Sequence, residues 1–143
     1  MDNLENIIET MIRQHRTLQK DLGVAVDLAN EGIPNTETID ITLKQFLADL
    51  SEHLQLEGGI FYPELLKKMK ASGVETIKTE DFINQMKAIG EVVMTFLNKY
   101  NTADKIKDGI ESFRKELVNI VSALNMRIEL EEGGVYSYWE MYK

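Results

Sequence analysis

Apolar residues recur along this chain in alternating steps of four and three, the spacing that lines one face of an α-helix. The first seam runs Leu4, Ile8, Met11, His15, Leu18, Leu22, Ala25 and Ala29. Asp2 with Glu5 three residues on resembles a capping box that opens this helix. Glu31-Gly32-Ile33-Pro34-Asn35 closes it, with Gly as the stop and Pro just beyond. A second helix, starting near Thr36 to Thr38, carries Ile39, Leu43, Phe46, Leu50, His53, Glu57 and Ile60 in the same rhythm. Gly58, Gly59 and Pro63 all weaken it, and Pro63 removes the bond to the Gly59 carbonyl. A kink or early end is predicted there, with helix resuming through Leu65 to Lys70 before Ser72-Gly73. A third helix, from about Thr79 to Tyr100, carries Phe82, Met86, Gly90, Val93, Leu97 and Tyr100, widened by Ile83, Ile89 and Phe96. After Asn101-Thr102, the fourth carries Ile106, Ile110, Phe113, Leu117, Ile120, Leu124, Arg127, Glu131 and Gly134. An aromatic tail of Tyr136, Tyr138, Trp139 and Tyr142 follows.

Four long amphipathic segments with short connections and no strand-like alternation predict an all-α protein, an up-down-up-down antiparallel four-helix bundle. Its second half repeats its first. Arg127-Ile128-Glu129-Leu130-Glu131-Glu132-Gly133-Gly134-Val135-Tyr136-Ser137 aligns without a gap on His53-Leu54-Gln55-Leu56-Glu57-Gly58-Gly59-Ile60-Phe61-Tyr62-Pro63. Glu57 matches Glu131, Gly59 matches Gly133 and Tyr62 matches Tyr136, at an offset of 74 to 75 residues that also carries Met11 onto Met86. The fold therefore reads as a duplicated helix hairpin. Arg127 stands where His53 stands, and Gly90 falls where His15 falls.

A chain of 143 residues is the size of one domain, taken as residues 1–143. The absence of cysteine excludes disulfides, thiolate metal sites, iron–sulfur clusters and a cysteine nucleophile. A net charge of −8 argues against nucleic acid or an anionic membrane as the main partner. Met1-Asp2-Asn3-Leu4-Glu5 is acidic where a signal peptide is basic, and no apolar run is long enough for a bilayer. The expected location is the cytoplasm.

The polar residues on the seams need a reason, because an unpaired charge in a core is costly and shifts its pKa or finds a partner. His15, His53, Glu57, Arg127 and Glu131 are expected to converge. His53 and Glu57 lie four apart, one above the other on one helix face and about 6 Å apart along the axis, so one metal ion can reach both. Imidazole and carboxylate without sulfur suit iron, manganese or zinc alike. The plainer alternatives are hydrogen-bonded core histidines and a buried ion pair of Arg127 with Glu131 or Glu57. The methionines read as core filler, and the Gly-Gly pairs as either close helix packing or space for a ligand. Glu5 with Glu9, and Glu129 with Glu132, read as solvated faces, and the aromatic tail as a plug closing the bundle.

These residues resemble the hemerythrin-like (HHE cation-binding) bundles over essentially the whole chain. That family's pattern has a His on helix one, a His-x-x-x-Glu followed by an aromatic and Pro on helix two, a His on helix three and a second His-x-x-x-Glu on helix four. Present here are His15, His53 with Glu57 and Phe61-Tyr62-Pro63, and Glu131 with Tyr136; Gly90 and Arg127 replace the other two histidines. In the family's diiron site, helices one and two supply the terminal histidines of one iron, helices three and four those of the other, and the glutamates bridge. The resemblance thus implies His15, His53, Glu57 and Glu131 as ligands of a mononuclear iron site rather than a diiron one. Manganese, zinc or no metal at all remain as alternatives. The Arg127 guanidinium is expected in the region of the missing second metal. The implied role is sensing, carrying or storing dioxygen, nitric oxide or iron, with no catalytic residue assigned. The competing reading is a metal-free bundle that acts through protein contacts. A histidine phosphotransfer domain fits poorly, since both histidines face inward and Glu57-Gly58 stands where Lys-Gly is wanted. No hydrolase nucleophile is paired with a base.

Overall fold

The computed structural model describes residues 3–143, so the capping box read at Asp2 lies outside the described residues. A 3-10 turn at Asn3–Asn6 leads into α1, Ile7–Ala29. The side chain of Asn35 accepts a hydrogen bond from the Thr38 N–H at 3.1 Å and starts α2, Thr36–Leu56. After a π-helical turn at Glu57–Phe61 the chain continues as α3, Tyr62–Ala71. This helix ends on Gly73 at φ +75°, with the Val74 N–H bonded back to the Met69 carbonyl, a closure that needs a residue without Cβ. Then come α4, Ile77–Lys99, a short α5, Ala103–Asp108, capped by Thr102, α6, Ile110–Gly133, and α7, Val135–Tyr142.

The long helices α1, α2, α4 and α6 form the expected bundle, and no strand occurs among the described residues. α1 packs against α2 and α6, and α4 against α6, while α2 faces α4 across a much sparser seam. No helix among the described residues is long and apolar enough to cross a membrane.

Two expectations change. The break at Gly58, Gly59 and Pro63 is a wide turn, not an end, with the Tyr62 N–H bonding to the Glu57 carbonyl five residues back. Widening the turn accommodates a proline that has no N–H and whose ring would crowd the carbonyl four residues back. The extra residue rotates everything after it. Ile60, placed on the inward seam by simple periodicity, is 38% exposed, and Phe61, Tyr62, Leu65 and Met69 are buried instead. The fourth helix is likewise interrupted, at Gly109 and again at Gly134. A Cβ on Gly134 would stand 2.6 Å from the Leu130 carbonyl oxygen. Glycine is therefore required for α6 to end there and for α7 to turn back onto the bundle, burying Tyr136 and Trp139.

The apolar core lies in two clusters. One runs from Leu18 to Ala29 of α1 against Phe46, Phe96, Phe113 and their neighbours. The other joins Ile7 and Met11 to Phe61, Tyr62, Leu65, Tyr136 and Trp139, with Phe61 5.3 Å edge-on to Tyr136 and 5.7 Å from Trp139, centroid to centroid. Each large side chain removed from water contributes roughly 1.5–3 kcal/mol. His15, His53, Glu57, Arg127 and Glu131 are all buried and form the layer between the two clusters.

On the outer face of the α1–α2 pair, Asp21 lies beside Asp49. Burial, then the hydrogen bond and charge of Asp49, push its carboxyl from an ordinary 3.8 up to about 7. With the folded value above the unfolded one, the protonated group contributes stability that is complete below about pH 4 and lost as pH rises through about 7. Asp21→Asn should remove this dependence and raise the melting temperature at pH 8 relative to wild type. Thermal unfolding followed by circular dichroism from pH 4 to 8 checks it, and parallel curves for the two proteins would contradict it.

Candidate metal centre

Each side chain of the polar layer is aimed by its helix position. His15 lies on the buried face of α1 between Met11 and Leu18, His53 stands in the last turn of α2, and Glu57 opens the π turn directly below it. Arg127 and Glu131 follow one another at a four-residue spacing on α6. One donor atom from each of His15, His53, Glu57 and Glu131 lies within 4.8 Å of the others. The structure thus brings together all four residues named as ligands. The Nε2 atoms of His15 and His53 are 3.1 Å apart, His15 Nε2 is 3.2 Å from Glu131 Oε1, and His53 Nε2 is 3.4 Å from Glu57 Oε2.

The outer nitrogens are held separately. His15 Nδ1 lies 2.7 Å from Glu132 Oε2, and Glu132 in turn binds Arg16. His53 Nδ1 lies 2.8 Å from Gln14 Oε1. The tautomer that donates each Nδ1–H outward turns each Nε2 lone pair to the centre. The Tyr136 hydroxyl gives its proton to Glu57 Oε2 at 2.8 Å while sitting 3.1 Å from His15 Nε2. Two facing lone pairs and two carboxylates with no donor between the imidazoles are a donor set that fits a cation.

Arg127 occupies the opposite side of the layer. Its Nη2 donates to Glu57 Oε1 at 2.9 Å, its Nη1 to Glu131 Oε1 at 3.1 Å, and its Nε to the Met86 carbonyl of α4 at 3.0 Å. The guanidinium therefore bridges the two carboxylates, as expected of a group standing for positive charge. Gly90, one turn beyond Met86, is buried, and a Cβ there would touch nothing within 4 Å.

The tyrosines cross between the halves. Tyr62 of the first repeat donates to Glu131 Oε2 at 2.6 Å, and Tyr136 of the second donates to Glu57. Burial and the two glutamate charges push both phenols far up, so they act as hydrogen-bond donors. Burial raises both glutamates as well. At Glu57 the adjoining His53 ring and the Arg127 charge more than offset it and hold the carboxyl well below its ordinary range. Glu131 is pushed up to about 9 by burial and by the charge of Glu57, against Arg127. Burial lowers His15 despite its bond to Glu132. Without a metal, then, the centre holds a proton on its carboxylate pair rather than on His15.

Sequence periodicity missed four of these groups. Glu132, read as part of a solvated face, reaches back to His15, and Gln14 supports His53 from the same helix as His15. Tyr62 and Tyr136 had a signal, since they occupy matched positions in the repeat. For Glu132 and Gln14 the only signal was adjacency to a seam residue.

The description "Hemerythrin HHE cation binding domain" matches residues 6–139, nearly the whole chain. The chain belongs to the hemerythrin HHE family. No curated protein and no solved structure matches it. This hemerythrin domain is accordingly a metal-binding bundle by family, and its buried His/Glu cluster is a group that could hold the ion.

Removing Arg127 from the hemerythrin domain leaves two buried carboxylates without their counter-charge. Arg127→Ala is expected to lower unfolding free energy by about 3–5 kcal/mol in metal-free protein. Urea denaturation at pH 8 measures it, and a change below about 1 kcal/mol would show that the guanidinium does not balance the pair.

Proposed function

We propose that this hemerythrin domain holds one metal ion, iron by family resemblance, on His15, His53, Glu57 and Glu131. Arg127 stands in place of a second ion and Gly90 in place of a third-helix histidine. The domain senses, carries or stores a small ligand such as dioxygen or nitric oxide, or iron itself. The observation that carries this reading is the meeting of two imidazole Nε2 atoms at 3.1 Å with their Nδ1 partners already assigned. When bound, iron supplies a redox-active position for a diatomic ligand. The chain's own residues do the rest: Glu132 and Gln14 orient the imidazoles, Arg127 and the crossed tyrosines fix the carboxylates, and the flanking apolar clusters exclude water. The net charge of −8 argues against nucleic acid or an anionic membrane as the main partner.

A second reading, a metal-free bundle acting through a protein partner, draws on the same guanidinium, because Arg127 already neutralises one carboxylate charge. Metal content separates the two. Protein expressed with ample iron should contain one iron per chain by inductively coupled plasma mass spectrometry, and His53→Ala should lose it. Two irons per chain would mean that unrecognised ligands complete a second site and that Arg127 is misassigned. No metal under any loading condition would leave the polar network of an interaction module.

Metal uptake must also displace the proton held by the Glu57–Glu131 pair. Apparent affinity for a divalent ion should therefore rise with pH up to about 9, by at most tenfold per pH unit. Calorimetric titrations in buffers of different ionisation enthalpy should report about one proton released. A flat affinity between pH 6 and 8.5 would contradict it.

A further inference from the structure

Where α2 faces α4 across the sparse seam, a cavity of about 250 Å³ runs inward between Gly58 and Gly90 and ends on Glu57 and Arg127. Leu54 and Met94 wall it, and Lys87 and Glu91 stand at its edge with opposite charges. Neither glycine is required by a close approach or by its backbone, since a Cβ at either would meet nothing within 4 Å and neither has positive φ. What the two glycines do is leave the space open. At its inner end Arg127 has donating capacity left. Its Nε–H goes to Met86, and each terminal nitrogen gives one N–H to a glutamate and keeps another.

We propose that this cavity is a binding site for a short-chain aliphatic monocarboxylate. The carboxylate is held by Arg127, and the alkyl chain lies between Leu54 and Met94. Guanidinium is the side chain best matched to a carboxylate, and the apolar walls reward a ligand with a tail over a bare oxyanion. The inference rests on the mononuclear reading for its strength. With a divalent ion bound, metal and guanidinium outweigh Glu57 and Glu131 by one charge, and a monoanion is attracted. Without the ion the layer has no positive excess, and a monoanion gains no net attraction. Metal loading and carboxylate binding should thus reinforce one another.

The probe is propionate, titrated calorimetrically into protein loaded with zinc, with zinc content measured on the same sample. One propionate per chain is expected, at an affinity falling about fourfold for each methylene removed through acetate to formate. Binding to metal-free protein should be at least tenfold weaker. Gly90→Leu should abolish propionate binding while zinc stays at one per chain. Gly90→Ala, a smaller intrusion, should weaken binding and serves if the leucine variant does not fold. Zinc-loaded protein that ignores propionate would overturn the site. So would an affinity equal for formate and propionate and indifferent to Gly90, which would place the anion on the metal. Should neither zinc nor iron load, the metal reading falls by itself. The cavity is then tested on metal-free protein, where propionate binding lost in Gly90→Leu supports it and no binding overturns it.

Discussion

Two carboxylates buried in one layer of a helical bundle are a demand that the rest of the layer has to meet. Glu57 and Glu131 are almost completely removed from water and repel one another. Isolated charges in such a place cost several kcal/mol each. The chain answers with one permanent cation, two phenol donors and two imidazoles. Arg127 alone cannot cancel both charges, so the metal-free layer keeps a proton. That residual deficit of positive charge makes the layer a receptive place for a cation and gives the imidazoles something to share.

The asymmetry of the layer follows from two substitutions within a repeated hairpin. Were the halves identical, a histidine pair would face the carboxylates from each side. Instead one side has imidazoles and the other has a guanidinium and a glycine. The first side offers lone pairs, whereas the second offers N–H groups and empty volume. One carboxylate pair therefore lies between a face suited to a metal and a face suited to an anion. This arrangement lets a single buried centre respond to both kinds of ligand.

Most of the bundle was legible in the sequence because a 3.6-residue period survives wherever a helix is regular. His15, His53, Glu57, Arg127 and Glu131 all fall on that period, and all five are buried in one layer. The reading failed where regularity fails. The π turn inserts a residue after Glu57, which no constant period represents, and Ile60 and Phe61 exchange places as a result. Gly134 ends α6 within contact distance of a carbonyl, which only coordinates reveal, and that ending swings Tyr136 into the centre. Glu132 shows the other kind of failure. It sits one residue from the seam, where the helix wheel calls for solvent, yet its side chain is long enough to bend back to His15.

The placement of the polar layer between two apolar clusters bears on how the molecule breathes. The cluster closed by Phe61, Tyr136 and Trp139 depends on the short α7, whereas the other depends on the full lengths of the long helices. Cooperative units within a fold open at different free energies. A transient lifting of α7 would uncover the imidazoles and carboxylates while the distal cluster stayed intact, so the interior could exchange an ion without global unfolding.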